Sequence, residues 1–257
     1  MLIDTHTHLY SHKFDGDREA MLARARLAGV GLALLPAIDS QTHEAMIQLE
    51  ADHPDFCMAM IGLHPVSVGE NYKSELEIVH TYLKARNWVA LGEIGLDFYW
   101  DKSHVAEQEE AFKVQCQWAI DFDLPIVIHA RDSIDRLLEL LTELTPENRP
   151  PGVFHCWTGN AQQAQQALEL GFYLGIGGIV TFKNGGLDKV VPDLPKEKVL
   201  LETDSPYLAP VPYRGKRNET AYVKNVAEKV ADLWNLSLDE VGRITTENAR
   251  QLFRLEP

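Results

Sequence analysis

A regular alternation of short apolar runs with amphipathic segments constrains the fold of this chain more than any other sequence feature. Eight apolar runs have the length of a β-strand, at residues 1–5, 32–37, 57–63, 89–93, 125–129, 152–155, 172–176 and 199–203. Between them, apolar residues three and four positions apart predict helices over 18–27, 42–50, 76–84, 105–120, 133–144 and 161–170. Two more helices are predicted over 221–233 and 238–253, with Asn218 and Ser237 as N-caps. Parallel neighbouring strands need crossover helices, so the alternation predicts an α/β fold with a parallel sheet.

Six potential metal ligands lie at or just past the carboxyl ends of these predicted strands: His6, His8, Glu93, His129, His155 and Asp204. Enzymes built on a (β/α)8 barrel place their active sites at that end of the strands. The first and last strands are neighbours only when the sheet closes into a ring, which would bring the two histidines of the first strand beside Glu202 and Asp204. We therefore expect a single TIM-like (β/α)8 barrel over residues 1–257, with a metal site at the C-terminal end of its strands. An open doubly wound sheet is the alternative fold.

The acidic balance of the chain limits the ways in which it can bind nucleic acid. Its 257 residues include 38 Asp and Glu against 24 Lys and Arg, which gives a formal net charge of −14. Proteins that hold duplex DNA through many phosphate contacts present a broad cationic face, which this composition disfavours. If nucleic acid is the substrate, we expect its binding to be local and assisted by metal.

Cysteine usage and hydropathy predict a cytoplasmic protein without a membrane partner. The three cysteines, Cys57, Cys116 and Cys156, form no CxxC pair, which suits a reducing compartment better than a disulfide framework. The first residues lack the basic and apolar regions of a signal peptide. No stretch approaches the ~18 uninterrupted apolar residues of a transmembrane helix. We also expect a monomer.

The candidate ligands favour transition-metal chemistry. Residues i and i+2 of a strand face the same way, so His6 and His8 are expected to point to one side. Four imidazoles and two carboxylates suit Zn²⁺, Mn²⁺ or similar divalent ions more than Ca²⁺. Glu93 can bridge two ions with one oxygen each. Two ions roughly 3.5–4 Å apart can polarise a phosphoryl group and generate hydroxide near neutral pH.

Seven motifs occur in the same order as in a known family of metal-dependent enzymes. They are His6-Thr7-His8, Gly62-Leu63-His64-Pro65, Gly92-Glu93-Ile94-Gly95-Leu96-Asp97, His129-Ala130-Arg131-Asp132, His155-Cys156-Trp157-Thr158-Gly159, Glu202-Thr203-Asp204-Ser205-Pro206-Tyr207 and Arg214-Gly215-Lys216-Arg217-Asn218-Glu219. Together they resemble the TatD family, and the resemblance covers the whole chain. It implies the amidohydrolase-superfamily barrel and a metal-dependent nuclease that acts 3′→5′ on DNA.

The resemblance also implies a centre of two divalent ions, with Mg²⁺, Mn²⁺, Zn²⁺ or a similar metal in each position. One ion would be surrounded by His6, His8, Glu93 and Asp204. The other would be held by Glu93, His129 and His155.

The chain departs from the family pattern at two positions. Trp157 stands where the family usually has Phe, and Thr220 stands where Pro usually follows Asn-Glu. Neither is a predicted ligand, so these departures put substrate preference in doubt.

Four residues are predicted to serve catalysis. Glu93 would bridge the metals, and Asp204 would assist a metal-activated water in its attack on phosphorus, as a general base. Glu202 faces the same way as Asp204 but one layer deeper, so it would support a ligating histidine or form a structural ion pair. His64 ends the third strand and would contact a substrate phosphate or a metal-bound water.

Two further polar residues follow predicted ligands, and each has alternative roles. Arg131 would donate to a substrate phosphate through its forked guanidinium, or form a salt bridge with Asp132 or Asp135. Asp97 would orient either a loop or a ligand.

Cations and aromatic rings on the loops after the strands indicate how a polynucleotide would be held. The densest basic run consists of Arg214, Lys216 and Arg217, and it is expected to contact the phosphate backbone. Bases can stack on aromatic side chains whatever the sequence. The candidate rings are those of Tyr99, Trp100, Trp157, Phe182 and Tyr207. Such a pocket predicts single-stranded DNA ends as substrates, and therefore an exonuclease.

The remaining histidines and the cysteine beside a predicted ligand are expected to have no catalytic part. Cys156 should point away from the metals into the barrel wall. The histidines expected at the surface are His12, His43, His53, His80 and His104.

Three classes of function compete. The leading hypothesis is a divalent-metal-dependent phosphodiester hydrolase. The nearest alternative is a hydrolase of the same superfamily that acts on an amide, lactone or organophosphate, although many of those enzymes bridge their metals with a carboxylated lysine. A structural or export-associated metalloprotein is the third, but a metal site with spare coordination positions favours catalysis.

Overall fold

The structure, a computed structural model, describes residues 1–256. It contains eight short parallel strands: β1 Leu2–Asp4, β2 Val30–Leu35, β3 Cys57–Ala59, β4 Leu91–Asp97, β5 Ile126–Arg131, β6 Gly152–Phe154, β7 Tyr173–Ile176 and β8 Val199–Leu201. Eight α-helices follow or connect them: α1 Arg18–Leu27, α2 His43–Asp52, α3 Tyr72–Ala85, α4 Val105–Asp121, α5 Ile134–Glu143, α6 Ala161–Glu169, α7 Val223–Trp234 and α8 Leu238–Phe253. Short 3-10 helices occupy several of the connections.

The strands form two parallel sheets whose edges meet on both sides. One sheet has the order β1-β2-β3 and the other β4-β5-β6-β7-β8. At the first seam, between β3 and β4, Ile61 bridges Leu91. At the second, between β8 and β1, Thr7 bridges Ser205, and the amide of Thr5 donates to the carbonyl of Leu201 at 3.0 Å. The predicted α/β barrel with parallel strands is confirmed. The sheet is not the open doubly wound alternative.

Side chains from all eight strand segments fill the interior of the ring. A core cluster separate from the one beneath the outer helices has at least one residue in or directly beside each strand: Ile3, Leu34, Met60, Val89, Ala90, Val127, Val153, Tyr173 and Leu200. The last turn of α8 joins this cluster through Leu252 and Phe253. The barrel is therefore a packed core, as expected for this architecture.

Two helices begin with reciprocal caps. In α8 the Ser237 hydroxyl accepts from the Glu240 amide while the Glu240 carboxylate accepts from the Ser237 amide, which satisfies two amides that lack helical partners. The prediction of Ser237 as an N-cap is confirmed. Asn218 is not an N-cap, because α7 begins only at Val223. The buried Asn218 amide instead donates to the carbonyls of Thr203 and Tyr207, which fixes the loop after β8.

The fourth strand differs from its predicted bounds of 89–93. β4 starts two residues later and continues to Asp97. Its ladder with β5 shifts register between Leu91 and Ile94. Such irregularities re-aim side chains and occur often next to active sites, and Glu93 lies inside this one.

Among residues 1–256, no helix is both long and apolar enough to cross a lipid bilayer.

Candidate metal centre

Glu93 lies at the centre of a histidine cluster at the carboxyl end of the barrel, with only 2% of the residue exposed. Its two carboxylate oxygens face different groups of imidazoles. Oε2 lies 3.1 Å from Nε2 of His6 and 3.8 Å from Nε2 of His8. Oε1 lies 2.7 Å from Nδ1 of His129 and 2.7 Å from Nε2 of His155. One carboxylate thus separates two sets of potential ligands.

The first set comes from the loops that follow β1 and β8. The Oδ1 atom of Asp204 lies 3.8 Å from Nε2 of His6 and 3.5 Å from Nε2 of His8. The alternation predicted for this segment is present, because Thr7 points away from both imidazoles. Its hydroxyl lies 2.6 Å from the Ser205 hydroxyl in the wall of the barrel. Hydrogen bonds from the Asp204 amide to the His6 carbonyl and from the His8 amide to the Ser205 carbonyl align the two loops.

The His8 ring is held in one tautomer by a phenol. The Tyr10 hydroxyl donates to the carbonyl of Pro36 at 2.6 Å and lies 2.8 Å from Nδ1 of His8. Because its one proton is used, the phenol oxygen accepts from Nδ1–H of His8. The Nε2 lone pair of that ring is therefore directed to the cluster, as expected for a metal ligand. Tyr10 is not among the residues predicted from the sequence, although it lies only two positions after His8.

Carboxylates orient the two histidines of the second set. The Oδ2 atom of Asp97 lies 2.9 Å from Nε2 of His129, which leaves Nδ1 to face Glu93. Oε1 of Glu202 lies 3.4 Å from Nδ1 of His155, which leaves Nε2 to face Glu93. Carboxylate partners of this kind fix the orientation of ligating histidines.

His64 differs from these histidines in presenting an N–H group, and not a lone pair, to the site. Its Nδ1 accepts a hydrogen bond from the Val66 amide at 3.0 Å, so the neutral ring carries its proton on Nε2. That Nε2 lies 3.3 Å from Oε1 of Glu93. Burial lowers the pKa of His64, which favours the neutral form. His64 is therefore placed to donate a hydrogen bond in the site rather than a lone pair to a metal.

The imidazoles dominate the electrostatics of the acidic groups. Burial alone would raise the pKa of Glu93, but His155, His64 and His6 outweigh it and hold that pKa well below its usual range. Burial is likewise outweighed at Asp204, whose pKa is lowered by its contacts with His8 and the neighbouring rings. Both carboxylates are therefore ionised at neutral pH.

Two glycines allow close packing at the site, Gly95 against the backbone of His129 and Gly175 against the carboxylate of Glu202. A Cβ at Gly95 would lie 2.1 Å from the carbonyl oxygen of His129, and the backbone there has φ +141°. A Cβ at Gly175 would lie 2.3 Å from Oε2 of Glu202. Larger residues at these positions would displace either a candidate ligand or its carboxylate partner.

The donor set fits divalent transition metals. Three groups of residues each bring their potential donor atoms within 4.8 Å of one another. They are His6, His8 and Glu93; His6, His155 and Glu202; and His64, Glu93 and His129. Imidazole nitrogens mixed with carboxylate oxygens suit Zn²⁺, Mn²⁺, Co²⁺ and Fe²⁺. The buried carboxylate between two imidazole sets also has the geometry of a bridging ligand.

Comparison with known proteins identifies the family. A family model described as TatD related DNase matches residues 3–254. The chain belongs to the TatD family. It is 40% identical over 256 residues to the uncharacterized metal-dependent hydrolase YabD of Bacillus subtilis, covering 99% of this chain and 100% of that protein. Like its relatives, the chain is a metal-dependent hydrolase.

Two further relatives of the family support this assignment. The 3′-5′ ssDNA/RNA exonuclease TatD of Pectobacterium parmentieri is 36% identical over 261 residues, with 99% of this chain and 100% of that protein covered. The crystal structure of YJJV, a TatD homolog from Escherichia coli K12, superimposes with a TM-score of 0.93. It is 31% identical and covers 99% of this chain and 98% of that chain.

Three cations of the TatD-type motifs remain available to a ligand. The exposed Arg131 forms no salt bridge with Asp132 or Asp135 within residues 1–256, where Asp135 instead accepts from Gln163. Its guanidinium lies over the Tyr99 ring. Arg214 is exposed and lies 4.0 Å from the centroid of Phe182. Lys216, in the same loop, is also exposed.

The substrate-binding prediction for Trp157 is wrong. Its side chain is almost fully buried, with 1% of the residue exposed, and packs edge-to-face on Phe154 at a centroid distance of 5.7 Å. A base cannot stack on a ring that is closed to solvent. Gly159 makes room for the indole, because a Cβ there would lie 2.3 Å from it. Trp157 is therefore a core residue of this chain.

Arg217 also differs from its prediction as a phosphate contact. Its guanidinium donates to both carboxylate oxygens of Asp17 at 2.7 Å and to the carbonyl of Lys13 at 2.7 Å. It also lies over the Phe14 ring. With its charge and donors already used, Arg217 joins the loop after β8 to the loop before α1.

Three other expectations are resolved by burial. Thr220, the second departure from the family pattern, is buried, and its hydroxyl lies 3.2 Å from that of Thr7; it belongs to the barrel wall. His43 is fully buried rather than at the surface. Burial raises the pKa of the Cys156 thiol well above its usual value, and Asp204 raises it further, which disfavours a thiolate nucleophile at neutral pH.

Proposed function

We propose that this TatD-family hydrolase is a 3′→5′ exonuclease that removes nucleotides from the ends of single-stranded DNA or RNA with the help of two divalent ions. The observation that carries the proposal is the presentation of the two Glu93 oxygens to separate imidazole sets. This is the arrangement expected of a bridged two-metal phosphoesterase site. The name of the exonuclease relative, 36% identical over its whole length, supports the same reaction.

We assign one ion to His6, His8, Glu93 and Asp204, and the other to Glu93, His129 and His155. When bound, such ions polarise the phosphoryl group and lower the pKa of a water molecule to near neutrality. The physiological metal is left to reconstitution, since Mg²⁺, Mn²⁺ and Zn²⁺ all suit part of this donor set.

The residues of the chain divide the remaining work. Asp204 is ionised and partly open to solvent, so its carboxylate can accept the proton of the attacking water. His64 can donate from Nε2 to a phosphoryl oxygen. Arg131 can present its guanidinium edge to a phosphate, as Arg commonly does. Glu202 acts through His155, whose ring it orients.

The substrate class follows from the distribution of charge. The net charge of −14 disfavours the many phosphate contacts of duplex binding. The exposed cations Arg131, Arg214 and Lys216 lie at the end of β5 and in the loop after β8. A short, flexible, single-stranded end needs no more than these. The cysteines Cys57, Cys116 and Cys156 are all free thiols, which supports a reducing, cytoplasmic location.

The proposal is tested with metal-free protein reconstituted separately with Mg²⁺, Mn²⁺ and Zn²⁺. Substrates are single-stranded DNA, single-stranded RNA, linear duplex, closed circular duplex, bis(p-nitrophenyl) phosphate and a lactone. We expect a 5′-labelled single strand to give a ladder that shortens from its 3′ end, and Glu93→Gln to lose at least ~100-fold in kcat.

Several outcomes would reject the proposal. Full activity after exhaustive chelation would exclude the metal mechanism. Hydrolysis of the lactone without cleavage of any polynucleotide would favour the alternative superfamily activity. Faster cleavage of closed circles than of linear single strands would exclude an end-directed enzyme.

A further inference from the structure

Tyr99 and Trp100 form the most exposed aromatic pair beside the metal centre. The residue exposures are 53% for Tyr99 and 67% for Trp100. The two rings meet edge-to-face with centroids 5.0 Å apart. They lie in the loop that directly follows β4, the strand that carries Glu93. Leaving an indole in water is unfavourable unless a ligand or partner covers it.

Hydrogen bonds hold this loop in a fixed position relative to the catalytic centre. Oδ1 of Asp97 accepts from the amides of Tyr99 and Trp100 at 2.9 and 3.1 Å. The other oxygen of the same carboxylate contacts Nε2 of His129. One side chain therefore connects a predicted metal ligand to the backbone beneath both rings.

The β4–β5 ladder continues to the base of the loop. Asp97 pairs with Arg131 in register, and the Phe98 amide donates to the Arg131 carbonyl at 2.9 Å. The amide of Asp97 also donates to the Gln108 side chain at 2.9 Å. Because the backbone is held from both sides, the rings need little ordering when a ligand arrives, which favours binding.

Arg131 adds a cation to the two rings. Its guanidinium carbon lies 3.9 Å from the centroid of Tyr99 and 5.3 Å from that of Trp100. Stacking on rings leaves the N–H groups at the edge of a guanidinium free for a phosphate.

We propose that Trp100, Tyr99 and Arg131 form a nucleobase site beside the scissile phosphate, in which a base stacks on the exposed rings while Arg131 contacts a phosphate. The inference rests on the proposed nuclease function and adds a specificity-determining site to it. Stacking does not depend on base edges, so the site accepts any sequence. It binds bases only where they are unstacked from a partner strand, and it favours purines because of their larger rings.

The test combines protein variants with substrates that lack one base. Trp100→Ala is compared with Trp100→Phe and with the matched control Phe122→Ala. Phe122 is 37% exposed but lies at the far end of the barrel, at the C-terminal cap of α4. Each protein is assayed for kcat/KM on a short single-stranded oligonucleotide and on oligonucleotides with an abasic unit at the first, second or third position from the 3′ end.

We expect Trp100→Ala to lose ~10-fold or more in kcat/KM on the complete oligonucleotide. At one of the three positions, removing the base should lower the kcat/KM of the wild type by a similar factor. The kcat/KM of Trp100→Ala, which has already lost the stacking ring, should hardly change when that base is removed. Trp100→Phe should restore most of the loss, and Phe122→Ala should behave as wild type. On bis(p-nitrophenyl) phosphate, which has no base, the loss of Trp100→Ala should be at least ~5-fold smaller.

If the losses caused by Trp100→Ala and by the abasic unit are independent of each other at all three positions, the nucleobase site is overturned. The exonuclease proposal is then left intact. Equal losses on the oligonucleotide and the small diester would also overturn the nucleobase site, because the loop would then act only through His129. If the wild type cleaves no oligonucleotide, the proposed function fails and this site with it. Binding of a second protein to the rings, without any effect on turnover, would count against the nucleobase site.

Discussion

The tautomer of a single imidazole depends on a phenol that no sequence motif marks. Tyr10 uses its proton on the Pro36 carbonyl, so its oxygen can only accept from His8. Removing that acceptor leaves the His8 ring free to rotate or to protonate the wrong nitrogen. Partners of metal ligands typically contribute 10–100-fold to metal affinity or activity.

We expect Tyr10→Phe to weaken metal binding by ~10–100-fold, measured by competition titration with a fluorescent chelator. Tyr173→Phe is the matched control, because its hydroxyl contacts Gln251 at 3.1 Å, away from the centre. Equal affinities for the two variants would show that the phenol does not set the orientation of His8.

Trp157 makes a contribution to stability and not to substrate binding. Its indole is among the largest fully buried side chains of the protein. Replacing a buried Trp by Ala typically costs about 3–5 kcal/mol, because it removes apolar contacts and leaves a cavity.

We expect Trp157→Ala to lower the free energy of unfolding by about that amount in urea titrations. Trp100→Ala, which removes the same side chain from an exposed position, should change it by less than about 1 kcal/mol. A near-normal stability of Trp157→Ala with a raised KM would return Trp157 to the substrate site.

At the scale of strands and loops, the sequence predicted the element types better than the contacts between them. Helices 18–27 and 238–253 match α1 and α8 at both ends, because a 3.6-residue apolar period is a strong local signal. The β4 boundary failed at Glu93, because the irregularity there is imposed by the pairing with β5. A period-two pattern carries no sign of such a shift.

In the candidate site too, the sequence predicted the residue types better than the contacts between distant residues. All six predicted ligands come together, because parallel strands in a barrel end at a common face. Arg217 was misplaced because its partner, Asp17, lies 200 residues away in the sequence. Trp157 was misplaced because the loop that contains it folds inward, which residue type alone does not indicate.

The loop after β8 contains two cations that are available to a substrate, Arg214 and Lys216, and one that is paired with Asp17, Arg217. The salt dependence of substrate binding distinguishes the two kinds. Each phosphate contact on a single strand contributes about 0.7 to the slope of log affinity against log salt. With Arg131, Arg214 and Lys216 as contacts, we expect log(1/KM) for the oligonucleotide to fall with log salt at a wild-type slope of about −2 between 50 and 200 mM NaCl.

The double variant Arg214→Ala/Lys216→Ala should flatten that slope by about 1.4 and keep its metal content. Arg217→Ala should leave the slope unchanged and lower the melting temperature, since it breaks the contact with Asp17. A flattened slope in Arg217→Ala would instead place that cation on the substrate.

Asp17, the partner of Arg217, gives a prediction about the pH dependence of stability. Hydrogen bonds from Arg217 and then Arg24 hold the pKa of Asp17 at about 2, below the ~3.9 of an unfolded aspartate. A lowered folded-state pKa stabilises the fold at pH values above about 4, and that contribution is lost as pH falls towards 2.

We expect Asp17→Asn to melt at a lower temperature than the wild type at pH 6. The difference should shrink between pH 4 and pH 2. Asp188→Asn, at an exposed position in the connection before β8, should match the wild type throughout. A difference for Asp17→Asn that stays constant down to pH 2 would contradict the ion-pair assignment.

At the scale of the whole molecule, the candidate ligands are divided between the two sheets that make the ring. His6 and His8 follow β1 of the three-stranded sheet, whereas Glu93, His129, His155 and Asp204 lie in or follow strands of the five-stranded one. Across the first seam His64 faces Glu93, and across the second His8 faces Asp204. An ion held by His6, His8, Glu93 and Asp204 would contact both sheets across the second seam.

The seams between the sheets therefore couple catalysis to local opening of the backbone. Amide hydrogen exchange reports such opening residue by residue. We expect chelation to accelerate exchange at the amides of Thr5 and His8, which hydrogen-bond across the second seam. The amide of Ile128, inside the five-stranded sheet, should change far less. An enzyme arranged in this way becomes easier to open, and so easier to degrade, whenever its metal supply runs short.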